Sequence, residues 1–297
     1  MSQITNNIMM IQPVGFRYNE QTAVNNYYQR VMEGLTPARA QENALQEFNG
    51  FVEKLRAKGV NVVVIPDTKD PDTPDSIFPN NWVSFHRNSV VGLYPMCAEN
   101  RRDERREDIL ETLVDDYGFH IEEIKDFTEF EEHDKFLEGT GSMILDRENK
   151  LCYAAISIRT DEQAVIQFCD EFGYEPVCFT ANQDVNGERL AIYHTNVMMC
   201  LSAEYSVICL DSVNEEHRES VVAALIKTGH EIIELSMDQM YAFAGNMIEA
   251  LDVYGNSVLV MSETALKSLS VDQKQSLSNY SQLLSIQIKM QIFMKLI

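Results

Sequence analysis

The sequence predicts an α/β fold built as a radial ring of five ββαβ units, and three observations predict it. Polar turns between paired apolar runs recur roughly every fifty to sixty residues. Each pair is followed by a helical pattern and then by one more short apolar run. The 297 residues suit either one large domain or two ordinary ones, no long linker divides them, and a single domain over 1–297 is expected. A period of that length fits a radial repeat better than a doubly wound sheet.

The first unit opens with a strand over residues 9–13, followed by a polar loop from Phe16 past Tyr28. Thr36 can cap a helix with Pro37 in its first turn; Leu45, Phe48, Val52 and Leu55 mark its apolar face, and Gly59 stops it. Residues 62–65 form a β-branched strand. In the second unit strands 82–86 and 90–94 flank the turn 87–89, and a charged helix over 101–117 leads to a strand at 120–124. In the third, strands 142–145 and 151–156 flank 146–150, then come a helix over 160–172 and a strand over 175–179. In the fourth, strands 192–200 and 205–210 flank 202–204, then a helix over 214–228 and a strand over 231–235. In the fifth, strands 247–251 and 257–261 flank 254–256, then a helix over 263–277 and a strand near 283–288. For the ring to close, the C-terminal end must return beside residues 9–13.

A net charge of −22 disfavours nucleic acid and anionic membrane surfaces and leaves small molecules as the expected ligands. No stretch approaches the roughly 20 apolar residues of a membrane span, and the start of the chain has no basic-then-apolar leader pattern. A soluble cytoplasmic protein is expected. The six cysteines, Cys97, Cys152, Cys169, Cys178, Cys200 and Cys209, show no metal-ligand spacing and are expected to be reduced. His133, between Glu132 and Asp134, reads as part of a solvated acidic loop rather than a metal ligand.

Polar residues stand at the mouths of successive inner strands: Asp75 to Asn81, Glu138 to Ser142, Tyr193 to Asn196, and Gly245 with Asn246. In a ring these mouths meet near one axis, so the groups converge whatever their separation in sequence. Turn chemistry alone also favours Asp, Asn and Gly at such places. His194 and Asn196 lie two apart in the apolar run 193–200, which in extended geometry puts both on one face. A core histidine is the competing reading; a general acid and base is the functional one.

The ordered motifs Asp75-Ser76-Ile77-Phe78-Pro79-Asn80-Asn81-Trp82, Glu138-Gly139-Thr140-Gly141-Ser142, Ser157-Ile158-Arg159-Thr160 and His194-Thr195-Asn196 resemble those of the pentein superfamily of arginine deiminases, dimethylarginine hydrolases and amidinotransferases. The closest resemblance is to its citrulline-utilisation hydrolases, and it extends from Gln12 to about Met261. It implies a five-bladed ββαβ propeller and C–N bond hydrolysis of a guanidino or ureido group through a cysteine thiolate. It further implies His194 as acid and base, Glu138 as the carboxylate holding the planar nitrogen group, and Arg159 as anchor for the substrate's distant carboxylate. As a lone residue, Arg159 reads equally well as a solvated charge at a helix start. Asp75, Phe78, Asn81, Asn196 and Asn246 complete the expected substrate contacts. No cofactor and no metal is implied, and a homodimer is compatible with the resemblance.

Two features depart from the family pattern. Asn81 and Asn196 stand where relatives acting on guanidinium often carry aspartate, which favours a neutral ureido substrate such as citrulline, with arginine-like guanidines left open. The family's cysteine follows a late glycine-rich turn, whereas this sequence has no Gly after Gly255 and no Cys after Cys209. The composition also changes near Ile288, so a truncated or frame-shifted ending, an altered last blade and an inactive chain are expected. Cys200, six residues past His194, would lie roughly 20 Å away along a strand. Cys97 is the most exposed thiol expected, but no motif marks it as a nucleophile. The alternatives are a binding protein that keeps the pocket without chemistry, and an arginine deiminase-type activity.

Overall fold

A computed structural model describes residues 3–29 and 34–287. The first unit comprises β1 (Asn7–Gln12), the short α1 (Glu20–Ala23), α2 (Pro37–Ala57) and β2 (Asn61–Pro66). The Thr36 hydroxyl caps α2 by accepting from the Arg39 amide, and α2 buries Ala44, Phe48, Phe51, Val52 and Leu55. β1 and β2 pair in parallel, as a two-stranded sheet.

The second unit contains β3 (Val83–Phe85), β4 (Val90–Leu93), α3 (Glu99–Arg102), α4 (Glu107–Asp115) and β5 (Glu123–Asp126). The third contains α5 (Gly139–Ser142), β6 (Met143–Asp146), β7 (Leu151–Ala155), α6 (Glu162–Phe172) and β8 (Glu175–Phe179). A hairpin of β9 (Asn182–Val185) and β10 (Glu188–Ala191) follows. The fourth unit contains β11 (Met199–Leu201), β12 (Tyr205–Ile208), α7 (Glu215–Lys227) and β13 (Glu231–Glu234). After α8 (Met237–Tyr241) come β14 (Ile248–Leu251), β15 (Ser257–Ser262), α9 (Glu263–Ser268), α10 (Val271–Tyr280) and β16 (Gln282–Ile286). In each of these four units an antiparallel pair is joined on one side by a parallel third strand, which is the ββαβ connection.

Neighbouring units share their apolar cores. Ile11, Val63 and Ile65 pack with Trp82, Val83 and Val91, and Tyr94 and Phe127 pack with Leu137, Met143 and Phe168. Tyr153 and Phe179 join Met198 and Val207. The first and last units also meet: Phe48 and Val62 share a cluster with Ala250, Val258 and Ile286, and Thr5 bridges Ala250.

Several predicted elements differ. The run 192–200 is not one strand: residues Thr195–Val197 form a 3-10 turn and β11 begins only at Met199. The Thr195 hydroxyl donates to the Ser142 carbonyl and accepts from the Ala155 amide at 2.8 Å, which draws this segment out of the sheet. His194 and Asn196 therefore do not share a pleated face. The helix predicted over 101–117 is two helices, and so is the one over 263–277, where Ser270 caps a fresh start by accepting from Gln273. The hairpin of β9 and β10 was missed, although its turn carries Asn186 and Gly187, both at positive φ. The strand expected to close the ring beside β1, and the altered ending after about Ile288, lie outside the described residues.

Candidate functional site

Four turns precede the inner strands and have the same construction. In each, the carbonyl of one residue accepts from the amide three places on: Phe78 from Asn81, Glu138 from Gly141, His194 from Val197 and Phe243 from Asn246. Phe78, Glu138 and His194 therefore occupy equivalent first positions, with their side chains outside the helical turn. The turns pack closely because glycine stands where they touch. At Gly139, which has a φ of +45°, a Cβ would collide with the Asn80 carbonyl; at Gly141 it would collide with Asn81 Nδ2 and lie 2.9 Å from His194 Nδ1. A Cβ at Gly245 would lie 2.7 Å from the Val197 carbonyl oxygen.

At the centre the carboxylate of Glu138 and the imidazole of His194 are both fully buried, and His194 Nε2 lies 2.7 Å from Glu138 Oε2. The same oxygen faces Arg159 Nη1 at 3.3 Å and Arg101 Nη1 at 3.6 Å. Glu138 Oε1 accepts from the Cys97 amide at 3.1 Å. Burial by itself would raise this carboxyl, but Arg159, the His194 hydrogen bond and Arg101 outweigh it and hold Glu138 well below the usual carboxylate range.

Arg159 is buried, not a solvated charge at a helix start. Its Nε donates to Asn25 Oδ1 at 2.8 Å and its Nη2 to the Thr22 carbonyl at 2.9 Å, while its guanidinium lies over the Tyr193 ring. Asp75 is also turned towards this N-terminal segment, accepting from Asn19 Nδ2 and the Thr22 hydroxyl, both at 2.9 Å. Phe78 is buried with the α2 core. Asn81 is buried and its Oδ1 accepts from Arg101 at 2.8 Å. Asn246 donates to the Asn196 carbonyl at 2.9 Å, and the side-chain oxygens of both residues are buried without a partner among the described residues.

Sequence reasoning missed Arg101. Its guanidinium is fully buried and grips Glu104 with two 2.8 Å bonds while reaching both Asn81 and Glu138. The signal was the pair Arg101 and Glu104 three apart, which read only as part of a charged helix. It also placed Cys97 in a loop with no link to the site, whereas its amide is bonded to Glu138. Burial raises the Cys97 thiol above its ordinary range and the Glu138 charge adds to that, against the opposing pull of Arg159 and Arg102. Cys200 is buried in β11, with its thiol pushed up to about 12 by burial. Among the described residues no group of three or more His, Cys, Asp or Glu is placed to hold a metal ion, and no helix is long and apolar enough to cross a membrane.

A family model described as N,N dimethylarginine dimethylhydrolase, eukaryotic, matches residues 12–293. The chain belongs to this family. It is a family of C–N hydrolases within the pentein superfamily. Among solved structures, the chain is similar to the N-terminal domain of ArgZ, an arginine dihydrolase of the ornithine-ammonia cycle in cyanobacteria, bound to substrate. The identity is 18%, with 97% of this chain and 93% of that one covered and a TM-score of 0.70. Similarity to AgrE in complex with L-arginine is 18% over 97% of this chain and 38% of that one, with a TM-score of 0.69. A dimethylarginine dimethylaminohydrolase adduct with S-methyl-L-thiocitrulline is 15% identical, over 98% and 95%, with a TM-score of 0.60. These identities establish a shared fold. No curated protein sequence matches the chain.

Proposed function

We propose that the centre around Glu138 and His194 binds the ureido group of a citrulline-like amino acid and belongs to an amidinotransferase-like hydrolase whose nucleophilic cysteine this chain does not supply. One observation carries the choice of a neutral group: the carboxylate of Glu138 already faces the guanidiniums of Arg159 and Arg101 at 3.3 and 3.6 Å. Arg159 pairs with Glu138 and Arg101 with Glu104, so a guanidinium ligand would meet no uncompensated negative charge there and would add a third cation to two buried anions. The amides Asn81 and Asn196 add no charge either, and can recognise a neutral ligand by hydrogen bonds. Arginine, ornithine and S-methyl-L-thiocitrulline, the ligands of the related structures, share an amino-acid end and set the expected ligand size.

In this reading Glu138 holds the planar nitrogens and His194 carries the proton exchanged with the leaving amine and with water. Arg159 anchors the ligand carboxylate, which would take the place of Asn25 Oδ1 on its guanidinium. Phe78 walls the pocket, and Asp75 supports the N-terminal segment over it. The units form the five blades of a propeller around these turns, supported by the shared cores of successive units and of the first and last. The absence of a nucleophile among the described cysteines is supported by burial, which raises the Cys97 and Cys200 thiols, and by the other four lying in or against the apolar clusters.

The test is ammonia release from citrulline and from arginine by the chain as written and by one whose residues after 288 are replaced with a glycine-rich, cysteine-containing ending. Turnover of citrulline by the second protein alone is expected. Turnover by the chain as written would make one of its own cysteines the nucleophile and refute the assignment.

A further inference from the structure

We propose that Arg87, Arg147 and Lys150, at the hairpin ends of the second and third units, form a binding site for a small phosphate-class oxyanion. The proposal is independent of the ligand assigned to the Glu138 and His194 centre. β3 and β6 start from the turns that carry Asn81 and Glu138 and end at residues 87–89 and 147–150, so this site lies at the far ends of the same two inner strands.

With 46 acidic side chains against 24 lysines and arginines, a cation in this chain is expected to have a carboxylate for a neighbour. The turn after β6, Asp146-Arg147-Glu148-Asn149-Lys150, sorts its charges instead. Asp146 is buried, accepts from the Asn149 amide at 2.9 Å and has His230 Nε2 at 3.9 Å. Glu148 Oε1 accepts from the Gln3 amide at 3.1 Å, and the Gln3 side chain reaches the Leu201 carbonyl. Both acids are thus turned towards the fourth unit, and the bases towards the second.

Arg147 Nη1 donates to the Phe85 carbonyl at 3.2 Å, two residues before Arg87. Lys150 Nζ donates to the Phe172 carbonyl at 3.2 Å and lies 4.2 Å from the centre of the Tyr174 ring. The His86 ring stacks on Phe172 at 4.0 Å, which brings the two hairpin ends together. Arg87 and Lys150 are exposed and Arg147 is half-buried, so an incoming anion can reach them. Burial lowers the Lys150 ammonium below its ordinary range, Arg87 and Arg147 lower it further, and no carboxylate among the described residues offsets them. Glu171, one residue before Phe172, is held by Lys125 at 2.6 Å.

An oxyanion would relieve the repulsion among three like charges. Phosphate matches their donors, because a guanidinium offers paired N–H groups to two oxygens and the ammonium offers a point charge to a third.

The test is a titration of inorganic phosphate into the unaltered chain at neutral pH and constant ionic strength, following the His86 ring and arginine Nε–H resonances. Saturable shifts are expected. Lys150 has a φ of +61°, which glycine adopts without strain, so Lys150→Gly removes the charge and keeps the turn. The dissociation constant should rise by about tenfold in Lys150→Gly and in Arg87→Gln. It should be unchanged in Lys267→Gln, which alters an exposed lysine of α9. Sedimentation with phosphatidylcholine vesicles containing phosphatidic acid separates a free ligand from a membrane: the chain should stay in the supernatant, because its net charge of −22 opposes an anionic surface. Pelleting with the vesicles while free phosphate leaves the resonances unmoved would overturn the proposal. So would shifts that chloride reproduces, which report screening only, or a dissociation constant unchanged in both folded variants.

Discussion

His194 Nε2 and Glu138 Oε2 meet at 2.7 Å although they begin turns in two different units. The contact joins the first residues of two turns of the same construction. Glu138 is the only acidic partner described for Arg159, so Glu138→Gln strands a buried guanidinium. Loss of about 3–5 kcal/mol in urea-induced unfolding is expected, together with loss of ligand binding. A variant as stable as the parent would contradict the charge balance described here.

The same carboxyl sets an acid limit. Its folded pKa is depressed below its ordinary value of 4.5, so its contribution to stability is fully present above that value and is lost as pH falls through the folded pKa. Stability measured by urea unfolding should decline below about pH 4.5 in the parent, and this part of the decline should be absent in Glu138→Gln.

Gly141→Ala tests how closely the turns approach. The added methyl would collide with Asn81 Nδ2 and crowd the His194 ring. About 1–3 kcal/mol of destabilisation is expected, with citrulline binding lost even where the variant remains folded. Calorimetry and urea unfolding on one preparation separate the two effects.

Much of this architecture was legible because its signals are local. The turns at 87–89, 146–150, 202–204 and 254–256 all fall between paired strands, and the Thr36-Pro37 start of α2 follows from capping chemistry alone. What was not legible depends on distant partners. Arg159 looks like a surface charge until Thr22 and Asn25 fold over it, and Arg101 looks like one of many charges in its helix until Glu104, Asn81 and Glu138 enclose it. The 3-10 turn after His194 was hidden because Thr195 and Val197 are β-branched, and only the bonds of Thr195 to Ser142 and Ala155 override that preference.

His86 gives a prediction away from the site. Burial, with Arg147 and Lys150 adding to it, pushes its imidazole from the ordinary 6.5 down to about 2. It stays neutral against Phe172, with its ring 4.0 Å from that ring and Nε2 2.6 Å from the Ser84 hydroxyl. The unfolded chain takes up a proton below pH 6.5 and the folded one does not, so stability falls as pH drops through this window. The slope is up to about 1.4 kcal/mol per pH unit from this one group. His86→Phe should flatten the difference between urea unfolding at pH 7 and pH 5 by that order.

The most direct measurement is titration of citrulline and of arginine into the unaltered chain at neutral pH. Binding needs no nucleophile, so the pocket is tested apart from the chemistry. Citrulline binding at least about tenfold tighter than arginine is predicted, because an unmatched buried donor or charge costs at least that much. Tighter binding of arginine, or binding of neither, would contradict a neutral ureido site centred on Glu138 and His194.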